Sequence, residues 1–161
     1  MTGEKERPAI ELNDPGGRFA IVASRFNAFV VERMVEGCVE GFRSHGIDPE
    51  GRLDVVWVPG AFEIPTVCAH LARAGGHAAI VAIGAVIRGE TAHFEHVAGA
   101  AAQGVSAVSI ETGVPCIFGV LTTETVEQAE ERADPDRENH GYHAACAAIE
   151  MAGLVRRWEG C

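Results

Sequence analysis

The run Ala78–Ile83, AAIVAI, contains no polar side chain and lies between Gly75-Gly76 and Gly84. A strand with one wet face alternates apolar and polar residues. This run does not alternate, so both of its faces are expected to be buried, which requires a covering layer on each side. Three further short strand candidates punctuate the chain: Phe19–Ala23 (FAIVA), Leu53–Val58 (LDVVWV) and Pro115–Leu121 (PCIFGVL). Between them apolar residues recur at helical spacing, as in Val31, Met34, Val35, Cys38, Val39 and Phe42. Strands alternating with helices predict an α/β fold. Right-handed crossovers make it a three-layer αβα sandwich on a parallel sheet of about four strands, flavodoxin-like.

Local signals set the element boundaries. Asn27 reads as the N-cap of the first helix, and His45-Gly46 as its stop. Ala61–Pro65 opens the second helix, with Pro65 in the first turn, where its missing N–H costs nothing. Glu90, Thr91 and Ala92 are expected to begin the third helix, which runs to about Thr112. Its Ala98, Gly99, Ala100, Ala101, Ala102 and Gly104 leave little side-chain bulk, as a close subunit contact would want. Thr122–Thr125 precedes a helix through Arg132, a charged loop follows at 134–141, and Tyr142–Trp158 is the last helix. Residues 1–17, ending Asp14-Pro15-Gly16-Gly17, read as a flexible arm that would order only against a neighbouring subunit; 18–161 reads as a single domain.

The 161 residues suit one domain, and the net charge of −10 (13 Lys+Arg against 23 Asp+Glu) argues against nucleic acid as the main partner. No apolar leader and no stretch of membrane-spanning length is visible, so no membrane association is expected. The five cysteines include no C-x-x-C pair. Four lie in apolar company and read as small core residues, and Cys161 reads as a free terminal thiol, which fits a reducing cytoplasm.

Chemistry concentrates where strands give way to helices, the place where open α/β sheets collect ligands. The stretch Gly84–Val97, GAVIRGETAHFEHV, supplies a flexible Gly89, an anion-favouring helix start at Glu90 and Thr91, and His93, suited to proton transfer near neutral pH. Phe26 follows the first strand, Ala61-Phe62-Glu63 the second; Phe118 lies on the fourth, and Arg132, a planar cation suited to phosphate, on the helix after it. Each also has a plainer reading. Phe26 and Phe118 could be core aromatics, Glu63 a helix-dipole partner, His93 an exposed helix residue and Arg132 a surface charge beside Glu130 and Glu131. His93 and His96 stand at metal-pair spacing, but H-F-E-H matches neither zinc signature and no third ligand is indicated, so no metal is expected. G-x-G-x-x-G and Walker A sequences are absent. A flavodoxin-like FMN site stays open on topology alone.

Taken together, the blocks SRFN (Ser24–Asn27), VPGAFEIP (Val58–Pro65), GAVIRGETAHFEHV, TGVPCIFGVLTTETVEQAEERA (Thr112–Ala133) and AIEMA (Ala148–Ala152) resemble the 6,7-dimethyl-8-ribityllumazine synthase family of riboflavin biosynthesis. The resemblance spans nearly everything from Phe19 to Trp158. It implies a transferase that condenses 5-amino-6-(D-ribitylamino)uracil with 3,4-dihydroxy-2-butanone 4-phosphate, without a cofactor. By this resemblance Phe26 stacks on the pyrimidine. Ala61, Phe62 and Glu63 bind the same substrate, with the carboxylate on ribityl hydroxyls, while Ala85, Val86 and Ile87 edge the pocket. Glu90, Thr91 and Arg132 take the phosphate, His93 transfers protons, and Phe118 comes from a neighbouring subunit. It further implies homo-oligomers, pentamers or icosahedral sixty-subunit shells, and leaves open riboflavin synthase as an enclosed partner. A catalytically weak flavin- or lumazine-binding scaffold is the alternative. One segment departs from the family pattern: between Arg132 and Gly141 a Gly- and Lys-rich loop is replaced by Ala-Asp-Pro-Asp-Arg-Glu-Asn-His, and the lysine common at the position of His140 is missing.

Overall fold

A computed structural model describes residues 10–161. Its elements run β1 (Arg18–Ser24), α1 (Ala28–Ser44), α2 (Pro49–Arg52), β2 (Leu53–Val58), a 3-10 turn (Ala61–Glu63), α3 (Ile64–Ala74), β3 (His77–Ile87), α4 (His93–Thr112), β4 (Cys116–Thr123), α5 (Val126–Ala133) and α6 (His140–Trp158). The four strands form one sheet in the order β2-β1-β3-β4, and every pairing is parallel.

The unbroken apolar character of the central strands divides between two cores. Phe19, Ile21 and Ala23 of β1 join Ala79, Val81 and Ile83 of β3 under α1, α5 and α6. Their alternates, Ala20, Val22, Ile80 and Ala82, pack against α3 and α4. With a period of two, each of these two strands feeds both layers, and the residues from Phe19 to Ala23 and from Ala79 to Ile83 are fully shielded from solvent. Burying one large apolar side chain such as Phe19, whose ring centroid lies 4.8 Å from that of Phe42, contributes about 2–3 kcal/mol.

Small residues let the helices come close. A methyl at Gly141 would run into the Met34 carbonyl oxygen, so only glycine permits α6 to cross α1 at that distance. A methyl at Gly104 of α4 would come within 2.6 Å of Pro65, so part of that lean helix serves packing on α3 inside the chain. Another part of α4 is uncovered: Gly99 faces open space, and Ile110 is 81% exposed.

Several boundaries differ from the sequence reading. β3 extends through Gly84–Ile87 because β4 offers partners in register, Gly84 with Val120 through Ile87 with Thr123. Glu90, Thr91 and Ala92 therefore form a turn ahead of α4, whose first residue is His93. α6 begins two residues before Tyr142, capped by Asn139, whose side-chain oxygen accepts from the Gly141 and Tyr142 N–H groups. The Asn139 amide also donates to Ala133 O (2.8 Å) and Arg33 O (3.2 Å), joining α1, α5 and α6 at one buried point. Helix α5 starts with a capping box of Thr125 and Gln128.

At the amino end of the sheet the charges are paired. Arg18 Nη2 lies 2.7 Å from Asp54 Oδ1, and His77 Nε2 lies 2.8 Å from Asp54 Oδ2. Of the expected arm, residues 1–9 fall outside the described residues. Residues 10–17 form no helix or strand, but Leu12 packs on the core, and Arg52 grips Asp14 with bonds of 2.6 and 2.8 Å. Arg156 donates to the Pro15 carbonyl. All five thiols are free: Cys38 and Cys68 are buried, Cys116 and Cys146 half-buried, Cys161 exposed. No described helix is long and apolar enough to cross a membrane.

Candidate active site

The carboxyl ends of β1, β2 and β3 converge on a cavity of about 720 Å³, within the range of small-molecule sites. Three loops build it, and backbone bonds hold them in register. Arg25 N–H donates to Val58 O (2.8 Å) and Phe26 N–H to Pro59 O (3.2 Å), tying the β1–α1 loop to the end of β2. Asn27 ties the same loop to β3 by donating its side-chain amide to Ala85 O at 2.8 Å. This corrects the capping role expected of Asn27: it occupies the position before α1, but with φ of 60° its side chain makes no bond to the helix. An asparagine adopts that left-handed geometry more readily than other residues with a Cβ. At Gly84 a methyl would fall 2.9 Å from Ser24 Oγ, so the glycine lets β1 and β3 pack closely just below the cavity floor.

The cavity gathers most of the residues singled out from the sequence. Phe26, Ala61, Phe62, Glu63, Ala85, Val86, Ile87, Thr91 and His93 all line it. Phe26 is 72% and Phe62 60% exposed, which removes the core-aromatic reading of Phe26. Two large rings left in water at a cavity mouth offer flat apolar faces. Ala61 and Ala85 are buried. Glu63 sits beside Gly60, where a methyl would lie 3.1 Å from Glu63 Oε2, so the glycine keeps that carboxylate's place open.

His93 stands at the start of α4, where its N–H makes a long 3.5 Å contact to Thr91 Oγ1. Glu90 is exposed on the same turn and is not among the lining residues. The lining also includes Asn27, Phe94, His96 and Val97, which the sequence does not assign to the site: Asn27 reads there as a cap, and His96 only as half of a metal pair that is set aside. The helical spacing from His93 that singles out His96 also reaches Val97, and no other local signal points to it.

Phe118 and Arg132 lie elsewhere. Phe118, 42% exposed, borders a second hollow of about 400 Å³ where edge strand β4 meets α6, together with Glu138, His140 and His143. Arg132 is in the last turn of α5, where Nη1 donates to Gln128 O at 3.0 Å. It is near enough to His140 to act on it. Burial holds the His140 imidazole below its ordinary 6.5, and the Arg132 charge and His143 push the same way. The separation follows from packing, since Ala129 and Ala133 seat α5 on the α1–α6 core. Within one chain the selected residues therefore form two groups: a cavity with aromatic faces, a carboxylate and a histidine, and a hollow with an aromatic and an arginine beside it.

A family model described as 6,7-dimethyl-8-ribityllumazine synthase matches residues 16–156, from just before β1 to nearly the end of α6. Both groups of residues fall within the matched span.

Proposed function

From the premise that this chain belongs to the 6,7-dimethyl-8-ribityllumazine synthase family, and so to riboflavin biosynthesis, we propose that it catalyses that family's condensation. The substrates are 5-amino-6-(D-ribitylamino)uracil and 3,4-dihydroxy-2-butanone 4-phosphate; the products are the lumazine, phosphate and water. The observation that carries this reading is the single cavity uniting Phe26, Phe62, Glu63 and His93 at the strand ends. Phe26 stacks on the pyrimidine, Glu63 accepts from ribityl hydroxyls, and the backbone of Ala61 and of Ala85–Ile87 borders the ring. The turn at Glu90 and Thr91 receives the phosphate ahead of α4, where the helix dipole favours an anion.

The uracil 5-amine attacks the ketone and loses water to give an imine. Elimination then expels phosphate, and ring closure with loss of a second water completes the lumazine. His93 carries protons between these steps. Holding both substrates side by side supplies much of the rate, because the bimolecular encounter becomes effectively intramolecular.

A second copy completes the site in this reading. Phe118 and Arg132 stand outside the cavity of their own chain, and the neighbouring copy's pair closes the cavity mouth, Arg132 facing the phosphate. The assembly is a pentamer or a larger shell built from pentamers, working in the reducing cytoplasm. The uncovered α4 surface and the exposed Phe29, Val55 and Trp57 support association of copies. The test is a spectroscopic assay with both substrates. Lumazine formed above the uncatalysed background, and lost in His93→Ala, is the expected result. Binding of the uracil without acceleration would instead make the protein a scaffold relative.

A further inference from the structure

The turn from Arg88 to Ala92 joins β3 to α4 and presents Thr91 and His93 to the cavity, yet its own backbone is loosely held. Gly89 has open space around it, and Glu90 and Thr91 are exposed. Arg88 N–H donates to Thr123 O at 2.9 Å, and beyond that the backbone bonds are Glu95 N–H to Ala92 O and the long His93–Thr91 contact. The Arg88 side chain adds what the backbone lacks. Its Nε lies 2.8 Å from Glu124 Oε2, its Nη1 3.7 Å from Glu95 Oε1, and its guanidinium carbon 4.8 Å from the centre of the Phe94 ring. Glu124 is itself anchored, since its N–H donates to Gln128 Oε1 at 2.9 Å within the cap of α5.

We propose that Arg88 is a positioning residue that sets the phosphate-receiving turn and the start of α4 against the β4–α5 junction. The inference rests on the reaction proposed above. One planar fork spans two carboxylates while lying over a ring, which an ammonium group cannot reproduce. These ion pairs are solvent-exposed and contribute little to global stability. What they fix is the geometry of a turn that no other ion pair braces from the side among the described residues.

The test uses the full-length protein with Arg88→Met, Arg88→Lys and Glu124→Gln. In Arg88→Met the KM for the phosphate substrate is expected to rise roughly tenfold, with kcat changed less than about threefold. Its melting temperature is expected to stay at the parent value, while amide hydrogen exchange at residues 89–92 quickens. Arg88→Lys restores part of the KM. Glu124→Gln gives a smaller rise that does not add to that of Arg88→Met, because both remove one contact. An unchanged KM overturns the inference, and so does a lowered melting temperature with normal KM for the folded protein. Should the parent protein form no lumazine, the reaction reading fails by itself. Affinity for inorganic phosphate then takes the place of KM, and unchanged affinity with unchanged exchange at 89–92 overturns the role of Arg88.

Discussion

The two ends of the sheet treat their polar groups in opposite ways. At the amino end Arg18 and His77 close on Asp54, and Arg52 closes on Asp14. At the carboxyl end Glu63, Glu90 and the His93 ring have no ion pair or side-chain hydrogen bond among the described residues, and Phe26 and Phe62 stand in water. Folding gains nothing from the second arrangement. Groups left without partners at the mouth of a cavity are available to a ligand, whereas groups already paired are engaged in holding the chain together. Arg88 and Asn27 are exceptions at the carboxyl end: Asn27 is engaged in tying the β1–α1 loop to β3, and the carboxylate partners of Arg88, Glu95 and Glu124, are not among the lining residues.

The sharpest way to break this contrast is to remove one group from each end. His93→Ala is expected to lower kcat by roughly 10²–10⁴-fold while leaving the melting temperature and uracil binding nearly unchanged, read by steady-state kinetics and calorimetry. A wild-type kcat would remove His93 from the chemistry. Next in size is Arg132→Ala, expected to raise the KM for the phosphate substrate by roughly 10–100-fold with a smaller change in kcat. Mixing Phe26→Ala with Phe118→Ala subunits tests whether the two groups of residues meet across copies. Mixed assemblies, verified by mass spectrometry, are expected to recover part of the lost activity; no recovery there would mean that each chain acts alone.

The amino end is expected to answer in stability instead. Asp54→Asn should lower stability by about 1 kcal/mol or less, because the carboxylate is partly exposed and its pairs are screened, with activity per folded molecule unchanged. Smallest of all is a pH effect with a definite sign. Hydrogen bonds from Arg18, then His77, hold the Asp54 carboxyl below its ordinary 3.8, and the Arg52 hydrogen bond does the same for Asp14. A depressed folded value means the stabilisation is complete above the unfolded value of 3.8 and is lost as pH falls below it through the folded values. Denaturant midpoints measured from pH 5 downward should decline less steeply for an Asp14→Asn, Asp54→Asn double variant than for the parent.

Much of the architecture was legible from local chemistry. The run Leu53–Val58 is β2 at both ends, because Pro59-Gly60 stops it, and α4 ends at Thr112 before a glycine in the left-handed region. The errors cluster where a distant partner decides. Nothing near Gly84–Ile87 says that β4 will offer four more residues to pair with, so local pattern alone ends the strand short and starts the helix early. Asn27 has the chemistry of a cap, but Ala85 O lies within reach of its amide only after β1 and β3 are side by side.

The candidate site divides along the same line. By itself the sequence determined which residue types stand at each strand–helix junction, since turn glycines, helix starts and apolar runs are short-range signals, and its ordered motif blocks identified the family. Only the tertiary structure decided which of those residues share a cavity. That depends on the face of the sheet each helix covers: buried Ala129 and Ala133 seat α5 with α1 and α6, so Arg132 stands near His140 and apart from the cavity lined by His93. Helix packing is a contest among long-range contacts, and a local pattern carries no record of its outcome.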